Sequence, residues 1–212
     1  HTRLQGDWSS DVCSSDLDIR TRLARNYPQG ELAVHALGYV GTISEADLAR
    51  IDREQYAGTS TIGKTGVEAA FEDALRGRNG SREIMVNAQG RSVERLGPLQ
   101  AALRNTPARP GSDLFLTLDL EVQRVAEQAV QGRRAAVVAL DPRNGDVITL
   151  VSTPGFDPNG FARGLTRAEF TALNETPDRP LFNRALRGTY PPGSTIKPVV
   201  ALAGLEAGVT TT

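Results

Sequence analysis

The sequence is poor in the residues on which several common chemistries depend. Its 212 residues include one cysteine, Cys13, so no disulfide can form within the chain. The two histidines, His1 and His35, are too few for a histidine-based metal site to be expected, and we predict none. His35 also lies in an apolar run, residues 32–37, which indicates a structural role.

The sequence also lacks long uniform runs. No stretch of 18 or more apolar residues occurs, and no charged start precedes an apolar stretch, so neither a membrane span nor a signal peptide is indicated. The formal net charge is −1, which excludes the strongly basic surface of nucleic-acid-binding proteins, and we predict no nucleic-acid partner. The composition, with 39% hydrophobic and 23% charged residues, is that of a globular chain of one or two domains.

The first 17 residues differ from the rest. Residues 1–17 hold the only tryptophan, Trp8, together with Cys13, and they show neither helical nor strand periodicity. They resemble translated sequencing-adapter read-through, so we predict an extraneous or disordered segment that takes no part in the fold. A natural flexible terminus is the alternative.

Short helices are predicted in the part that follows. Ser44 and Asp47 have the spacing of a capping box at the start of a helix. A second helix is predicted over residues 67–75, and its apolar stripe would consist of Val67, Ala70, Phe71, Ala74 and Leu75.

A hairpin and a domain boundary come next. Residues 83–87 and 92–96 are expected to be the two arms of a β-hairpin. Residues 106–112 are rich in proline and glycine, which is typical of a linker. We therefore predict two domains, one over residues 18–108 and the other over residues 109–212.

The second domain is expected to begin with a strand over residues 113–118. Asp119 then caps a helix that ends near Gln131. The apolar side of this helix is predicted to comprise Leu120, Val122, Val125, Ala126, Ala129 and Val130.

Two apolar strands follow, at residues 135–140 and 147–152. Asn144 and Gly145 lie between them and are strong turn formers, so the strands are expected to form a hairpin. The last predicted element is a helix over residues 195–207.

Residues 190–198 contain two candidate catalytic residues. A proline- and glycine-rich approach leads into a helix that holds Ser194 and, three residues later, Lys197. Residues at this spacing share a helix face, so the ammonium can reach the hydroxyl. A serine becomes nucleophilic when a base takes its proton, and a lysine kept neutral by burial or neighbouring charge can be that base. Ser194 is therefore a candidate nucleophile and Lys197 its candidate base.

A bare Ser-x-x-Lys pattern also occurs by chance, on solvated helix faces. Three neighbouring features favour the catalytic interpretation here. They are the Pro191-Pro192-Gly193 approach, the apolar helix that follows, and the hydrophobic hairpin upstream.

With these neighbours, the chain resembles class B penicillin-binding proteins, and within that class the elongation type. Residues 183–198 are similar to the family's first active-site motif. The likeness covers residues 25–208 and includes residues 116–119 with Gln123, Ala126 and Glu127, then residues 137–146, 152–159 and 179–184.

The resemblance implies a mixed α/β fold, in which part of a non-catalytic pedestal domain precedes the N-terminal part of a transpeptidase domain, a β-sheet flanked by helices. It implies a D,D-transpeptidase that cross-links peptidoglycan stem peptides through an acyl-enzyme on Ser194, with Lys197 as the base and β-lactams as inhibitors. No metal or organic cofactor is implied.

The resemblance also implies a location and partners. The protein would be anchored in the bacterial inner membrane with these domains in the periplasm. It would work in cell-wall elongation with a membrane glycosyltransferase and other elongation-complex proteins. The family's anchor and its Ser-x-Asn and Lys-Thr-Gly motifs have no counterpart at the expected places in this sequence, so we expect a truncated fragment that is inactive alone.

One motif is expected to mislead. Lys64-Thr65-Gly66 has the letters of the family's third active-site motif, but it precedes Ser194 instead of following it. It resembles a pedestal motif, and we predict a turn that leads into a helix, with Glu68 near the positive helix end.

Two other functions remain open from the residues. A β-lactamase or a β-lactam sensor would use the same kind of serine, although the likeness to a pedestal domain argues against both. A non-catalytic cell-wall scaffold module is the third possibility.

Overall fold

The structure is a computed structural model, and it describes residues 24–88 and 103–211. Within these ranges the chain forms short helices and three two-stranded antiparallel sheets, which confirms the predicted mixed α/β fold. The strands are β1 (Val40–Thr42), β2 (Thr61–Gly63), β3 (Ser81–Arg82), β4 (Asn105–Thr106), β5 (Ala135–Leu140) and β6 (Val147–Thr153).

The helices are short, and none in the described ranges is long and apolar enough to cross a membrane. A single turn of 3-10 helix, Gly193–Ile196, precedes the last of them. The α-helices are α1 (Val34–Leu37), α2 (Glu45–Leu48), α3 (Gly66–Ala70), α4 (Glu72–Arg76), α5 (Leu120–Ala129), α6 (Pro158–Arg163), α7 (Arg167–Glu175), α8 (Arg184–Arg187) and α9 (Lys197–Glu206).

The N-terminal part is built on close backbone packing. Gly38, with φ 78°, and Gly66, with φ 60°, lie at the contact between α1 and α3. A Cβ at Gly38 would lie 1.8 Å from Thr65 O, so only glycine fits there. The capping box of α2 is confirmed, because Ser44 Oγ accepts from Asp47 N–H and the Asp47 carboxylate accepts from Ser44 N–H.

The helix predicted over residues 67–75 is wrong as a single element. It is broken at Phe71, whose backbone leaves the helical region at φ −115°. The predicted apolar stripe is not the buried face: Phe71 is 48% exposed, while Glu68 is buried. Glu68 is drawn inward because its carboxylate pairs with Arg25 Nε at 2.8 Å and accepts a hydrogen bond from the Tyr27 hydroxyl.

The hairpin predicted near residue 90 stays a prediction. The strand β3, Ser81 and Arg82, precedes its predicted first arm and pairs with Thr106 and Asn105. The predicted second arm, residues 92–96, lies outside the described residues, and so does the segment 1–17.

The hairpin at β5 and β6 is confirmed. Its register pairs Ala135 with Thr153 and Val137 with Val151. Gly145, with φ 81°, closes the turn. The strand predicted over residues 113–118 is an extended segment without strand assignment.

That segment nevertheless follows the free edge of β6. Thr117 Oγ1 donates to Val147 O, and the Asp119 N–H donates to Ile148 O at 2.9 Å. Asp119 then caps α5 as predicted, accepting from Glu121 N–H and Val122 N–H.

The predicted apolar side of α5 is wrong. Val125 is 64% exposed and Leu120 is 45% exposed, whereas Gln123 is fully buried. The polar residue faces inward because β6 offers hydrogen-bonding groups at its edge.

An aromatic core joins the two halves of the chain. Val34 packs with Phe156 and Phe161, and Tyr39 lies against both rings, with centroids 5.6 Å and 4.0 Å away. His35 meets Phe156 edge-on at 5.6 Å. This core contains residues from both sides of position 108, where the domain boundary stays a prediction.

Candidate active site

Ser194 lies in the 3-10 turn that precedes α9. Gly193, with φ 54°, turns the backbone into this element. The Thr195 N–H donates to Pro192 O at 3.1 Å, and the Thr195 hydroxyl donates to the same oxygen. The Lys197 N–H donates to Ser194 O. The backbone around the candidate nucleophile is therefore held in one tight turn.

The side chains of Ser194 and Lys197 are one such turn apart and both are exposed. Among the described residues, neither side chain has a hydrogen-bond partner, and the two do not bond to each other. Burial, one of the conditions that keep a lysine neutral, is not provided here by the described residues. The structure thus places the two predicted residues on consecutive turns without joining them.

α9 is apolar on several sides, and none of them is covered within the described chain. Val199 is 59% exposed, Val200 61% and Leu202 65%, and the helix has no buried residue. A helix that is apolar all round is typical of a protein interior.

The segment that leads to Ser194 is anchored on β6 and α1. Ser152 Oγ accepts from the Arg184 N–H at 2.9 Å and donates to Phe182 O at 3.2 Å. Asn183 caps α8 through Leu186 N–H, and its amide donates to His35 O at 3.0 Å. The buried Arg184 guanidinium donates to the carbonyl oxygens of residues 178, 179 and 182.

Gln123 forms a second anchor. Its amide oxygen accepts from the Thr149 hydroxyl and from Leu150 N–H at 2.9 Å. Its amide nitrogen donates to Leu150 O at 3.0 Å and to Glu127 Oε1 at 2.8 Å. All four hydrogen-bonding positions of the amide are used, which is what full burial of an amide requires.

Glu127 extends this network to the N-terminal part. Its Oε1 also accepts the Ala33 N–H at 2.9 Å, at a residue whose backbone has φ 56°. Sequence patterns did not find this anchor, because Gln123 and Glu127 interrupt an apolar stripe; the only signal was their place in the family motif quoted above.

Lys64 has a different role from the one its motif letters suggest. Its ammonium pairs with Asp47 Oδ2, and Asp47 is buried. The hydrogen bond from Lys64, with others from Ser44 and Arg50, holds the pKa of the Asp47 carboxyl well below its usual range. Lys64 thus belongs to the N-terminal part, and the structure does not bring it to Ser194.

Within residues 24–88 and 103–211, the acidic, histidine and cysteine side chains are the possible metal ligands. In the described part of the chain, no group of three or more of them could hold a metal ion.

Two family models match the chain in succession. Residues 14–116 match the penicillin-binding protein dimerisation domain, and residues 135–212 match the penicillin-binding protein transpeptidase domain. Ser194, Lys197 and the Ser152 anchor lie in the second match, and the Lys64–Asp47 pair lies in the first.

Curated relatives share much of this sequence. The peptidoglycan D,D-transpeptidase MrdA of Acinetobacter baumannii is 46% identical over 191 residues, which is 90% of this chain and 27% of that protein. The protein of the same name from Escherichia coli K12 is 42% identical over 199 residues, which is 92% of this chain and 30% of the relative. The chain therefore spans less than a third of the length of these two relatives.

Solved structures of two PBP2 proteins are similar to this chain in fold and sequence. Pseudomonas aeruginosa PBP2 in complex with WCK 5153 matches with a TM-score of 0.74 and 43% identity, over 90% of this chain and 37% of that one. Helicobacter pylori PBP2 in complex with MreC matches with a TM-score of 0.69 and 32% identity, over 86% of this chain and 33% of that one.

Proposed function

The chain belongs to the penicillin-binding proteins, and from that premise we propose that the full-length protein is a peptidoglycan D,D-transpeptidase that works through an acyl-enzyme on Ser194. The succession of a dimerisation domain and a transpeptidase domain is the observation that carries this proposal. The MrdA relatives, which bear the name of that activity, support it at 42–46% identity. Because the chain spans less than a third of these relatives, the activity is proposed for the longer protein.

The proposed reaction has two transfers. Ser194 Oγ attacks the carbonyl carbon of the D-Ala-D-Ala bond, its proton passes to Lys197, and D-alanine leaves with a proton from the same base. An amine on a neighbouring stem peptide then attacks the ester, forms the cross-link and restores the serine.

The turn at Ser194 supports this chemistry in one respect. The backbone N–H groups at the start of a helix have no acceptor within it, so they point toward a developing oxyanion. We assign the Ser194 N–H as one donor of the oxyanion hole. Lys197 needs further contacts to become a base, and the exposed apolar surface of α9 supports a buried setting for it in the longer protein.

We also propose the partners and the location that the resemblance implied. The substrates are peptidoglycan stem peptides, and β-lactams acylate the same serine. A membrane glycosyltransferase and other elongation-complex proteins act with it, from an inner-membrane anchor with these domains in the periplasm. The Helicobacter pylori PBP2 relative is solved in complex with MreC, which supports protein partners for this family.

Release of D-alanine from a pentapeptide donor tests the proposal. The full-length protein should release D-alanine, and Ser194→Ala should remove the activity to background, because no other group would form the ester. Ser81→Ala, a serine-to-alanine change on β3 outside the site, is the matched control and should retain the activity. Release by the Ser194→Ala protein equal to that of the wild type would contradict the proposal.

The β-lactamase alternative is separated by the fate of a bound penicillin, and the sensor alternative by the absence of D-alanine release. A β-lactamase hydrolyses its acyl-enzyme rapidly and turns over the drug, whereas a transpeptidase keeps the label. The match to a dimerisation domain favours the transpeptidase.

A further inference from the structure

Two arginines lie directly opposite each other in the N-terminal part. The Arg78 N–H donates to Arg109 O and the Arg109 N–H donates to Arg78 O, both at 2.9 Å. β3 and β4 continue the same antiparallel pairing. Side chains of directly paired residues stand on the same side of the ribbon, so the two guanidinium groups share one face.

This arrangement is unfavourable by itself. Like charges directly opposite on paired strands repel each other. In the described ranges, neither Arg78 nor Arg109 has an ion-pair partner, and both are exposed. Other arginines of the chain do have carboxylate partners: Arg25 with Glu68, Arg50 with Asp47, Arg124 with Glu121, and Arg143 with Asp141.

The backbone holds the pair in place. A Cβ at Gly77 would lie 2.4 Å from Arg109 O, and a Cβ at Gly111 would lie 2.0 Å from Leu75 O. The Ser112 N–H donates to Ala74 O at 2.8 Å. The segment that carries Arg109 is thus packed tightly against α4 and the residue before Arg78, so the backbones of the two arginines are fixed opposite each other.

Both arginines line a groove of about 780 Å³, which also contains Arg25, Arg76 and the hydroxyl residues Thr59 and Thr61. Its only carboxylate among the described residues is Glu72.

The other charged groups of the groove are already engaged. Glu72 accepts from the Tyr56 hydroxyl at 3.2 Å and from Gly63 N–H at 2.8 Å. Arg76 donates to Gln55 and lies 4.2 Å above the Tyr56 ring. Arg25 pairs with Glu68. Among the described residues of the groove, Arg76, Arg78 and Arg109 thus have no carboxylate partner. Of these three, Arg78 and Arg109 are the two that are exposed and paired directly opposite each other.

We propose that this groove binds an acidic peptide segment of a partner protein, whose Asp or Glu carboxylates pair with Arg78 and Arg109. A guanidinium binds a carboxylate through two parallel hydrogen bonds, which makes arginine the residue suited to this recognition. The charges line a recess that is open to an extended peptide. Its volume lies in the range of roughly 300–1,000 Å³ that is usual for ligand pockets.

The test is fluorescence anisotropy with the full-length protein and a fluorescein-labelled peptide of alternating Glu and Ser residues. The same peptide with Gln in place of Glu should not bind. In the double variant Arg78→Gln/Arg109→Gln we expect the Kd for the acidic peptide to rise by about tenfold or more, because two charge-assisted hydrogen-bonding groups are lost. Its thermal midpoint should stay level or rise, because a repulsion is removed.

The matched control is Arg163→Gln/Arg167→Gln, which removes the same charge from two exposed arginines outside the groove and should leave the Kd within about twofold. An equal loss of binding in this control would show a non-specific charge effect and overturn the proposal. Unchanged binding by the Arg78→Gln/Arg109→Gln protein would overturn it too. So would binding to phosphatidylglycerol vesicles that depends on Arg78 and Arg109 while the acidic peptide does not bind.

Discussion

The N-terminal part and the Ser194 region differ in whether their charged and apolar side chains find partners within the described residues. In the N-terminal part, the buried carboxylates of Asp47 and Glu68 have partners from nearby elements. In α9, apolar side chains such as Leu202 stay exposed. The buried charges of the N-terminal part are thus paired, whereas the described residues leave the apolar helix next to Ser194 and Lys197 uncovered.

The largest expected effect in the N-terminal part is at Gly38. Gly38→Ala would place a methyl group 1.8 Å from Thr65 O, and we expect a loss of about 4 kcal/mol or more from backbone strain and overpacking together. Urea unfolding of the full-length protein measures it.

Gly58→Ala is the matched control for that change. Gly58 has φ 80°, close to the 78° of Gly38, but a Cβ there meets nothing within 4 Å. It should cost only about 1–2 kcal/mol, the strain of the left-handed backbone. Equal losses in the two variants would show that the packing of α1 on α3 is not as tight as described.

The contact between α5 and β6 is tested at Gln123. Gln123→Leu would leave Leu150 N–H, Leu150 O and the Thr149 hydroxyl without their partner, and we expect a loss of about 3 kcal/mol. Val125→Ala, at an exposed position of the same helix, should change the stability by less than about 0.5 kcal/mol. The urea midpoints of the two variants measure the two losses of stability. A larger loss for Val125→Ala than for Gln123→Leu would support the apolar side of α5 that the sequence predicted.

A smaller, pH-dependent effect is expected at His35. Burial lowers the pKa of this imidazole, and the nearby Arg184 acts in the same direction, while Glu127 opposes it. The unfolded chain, with a pKa of about 6.5, then binds more protons than the folded one. This contribution to stability is complete above pH 6.5 and is lost as the pH falls toward the lower folded pKa.

The measurement for His35 is the unfolding midpoint between pH 8 and pH 5. The decline toward acid should be steeper in the wild type than in His35→Gln, which has no titrating group at this position. Parallel profiles for the two proteins would show that burial in the aromatic core does not lower the pKa of His35.

Local patterns predicted the fold where the contacts are local. The capping box of Ser44 and Asp47, the Asp119 cap and the β5–β6 hairpin each depend on residues close in sequence. The predictions of the buried faces of α3 and α5 were wrong. Glu68 is hydrogen-bonded to Arg25, 43 residues away, and Gln123 to Thr149, 26 residues away. Periodicity cannot register such partners, so it assigned the interior to apolar residues.

The candidate site was predictable to a similar degree. The residues around Ser194 predicted the helix that the structure shows at Lys197–Glu206, while the roles of Ser194 and Lys197 stay predictions. They could not give the contacts of Lys197, since an i, i+3 spacing brings two side chains to one face without joining them. Sequence patterns did not predict the hydrogen bond between Ser152 and Arg184, because it joins segments 32 residues apart.

The central claim is that Ser194 is the nucleophile, and labelling with a fluorescent penicillin tests it most directly. In the full-length protein the label should map to the peptide that carries Ser194, persist after the free drug is removed, and disappear in Ser194→Ala. Lys197→Ala should slow labelling by roughly two to four powers of ten, the usual contribution of a positioned general base. A full-length Ser194→Ala protein that still carries the label would contradict the account.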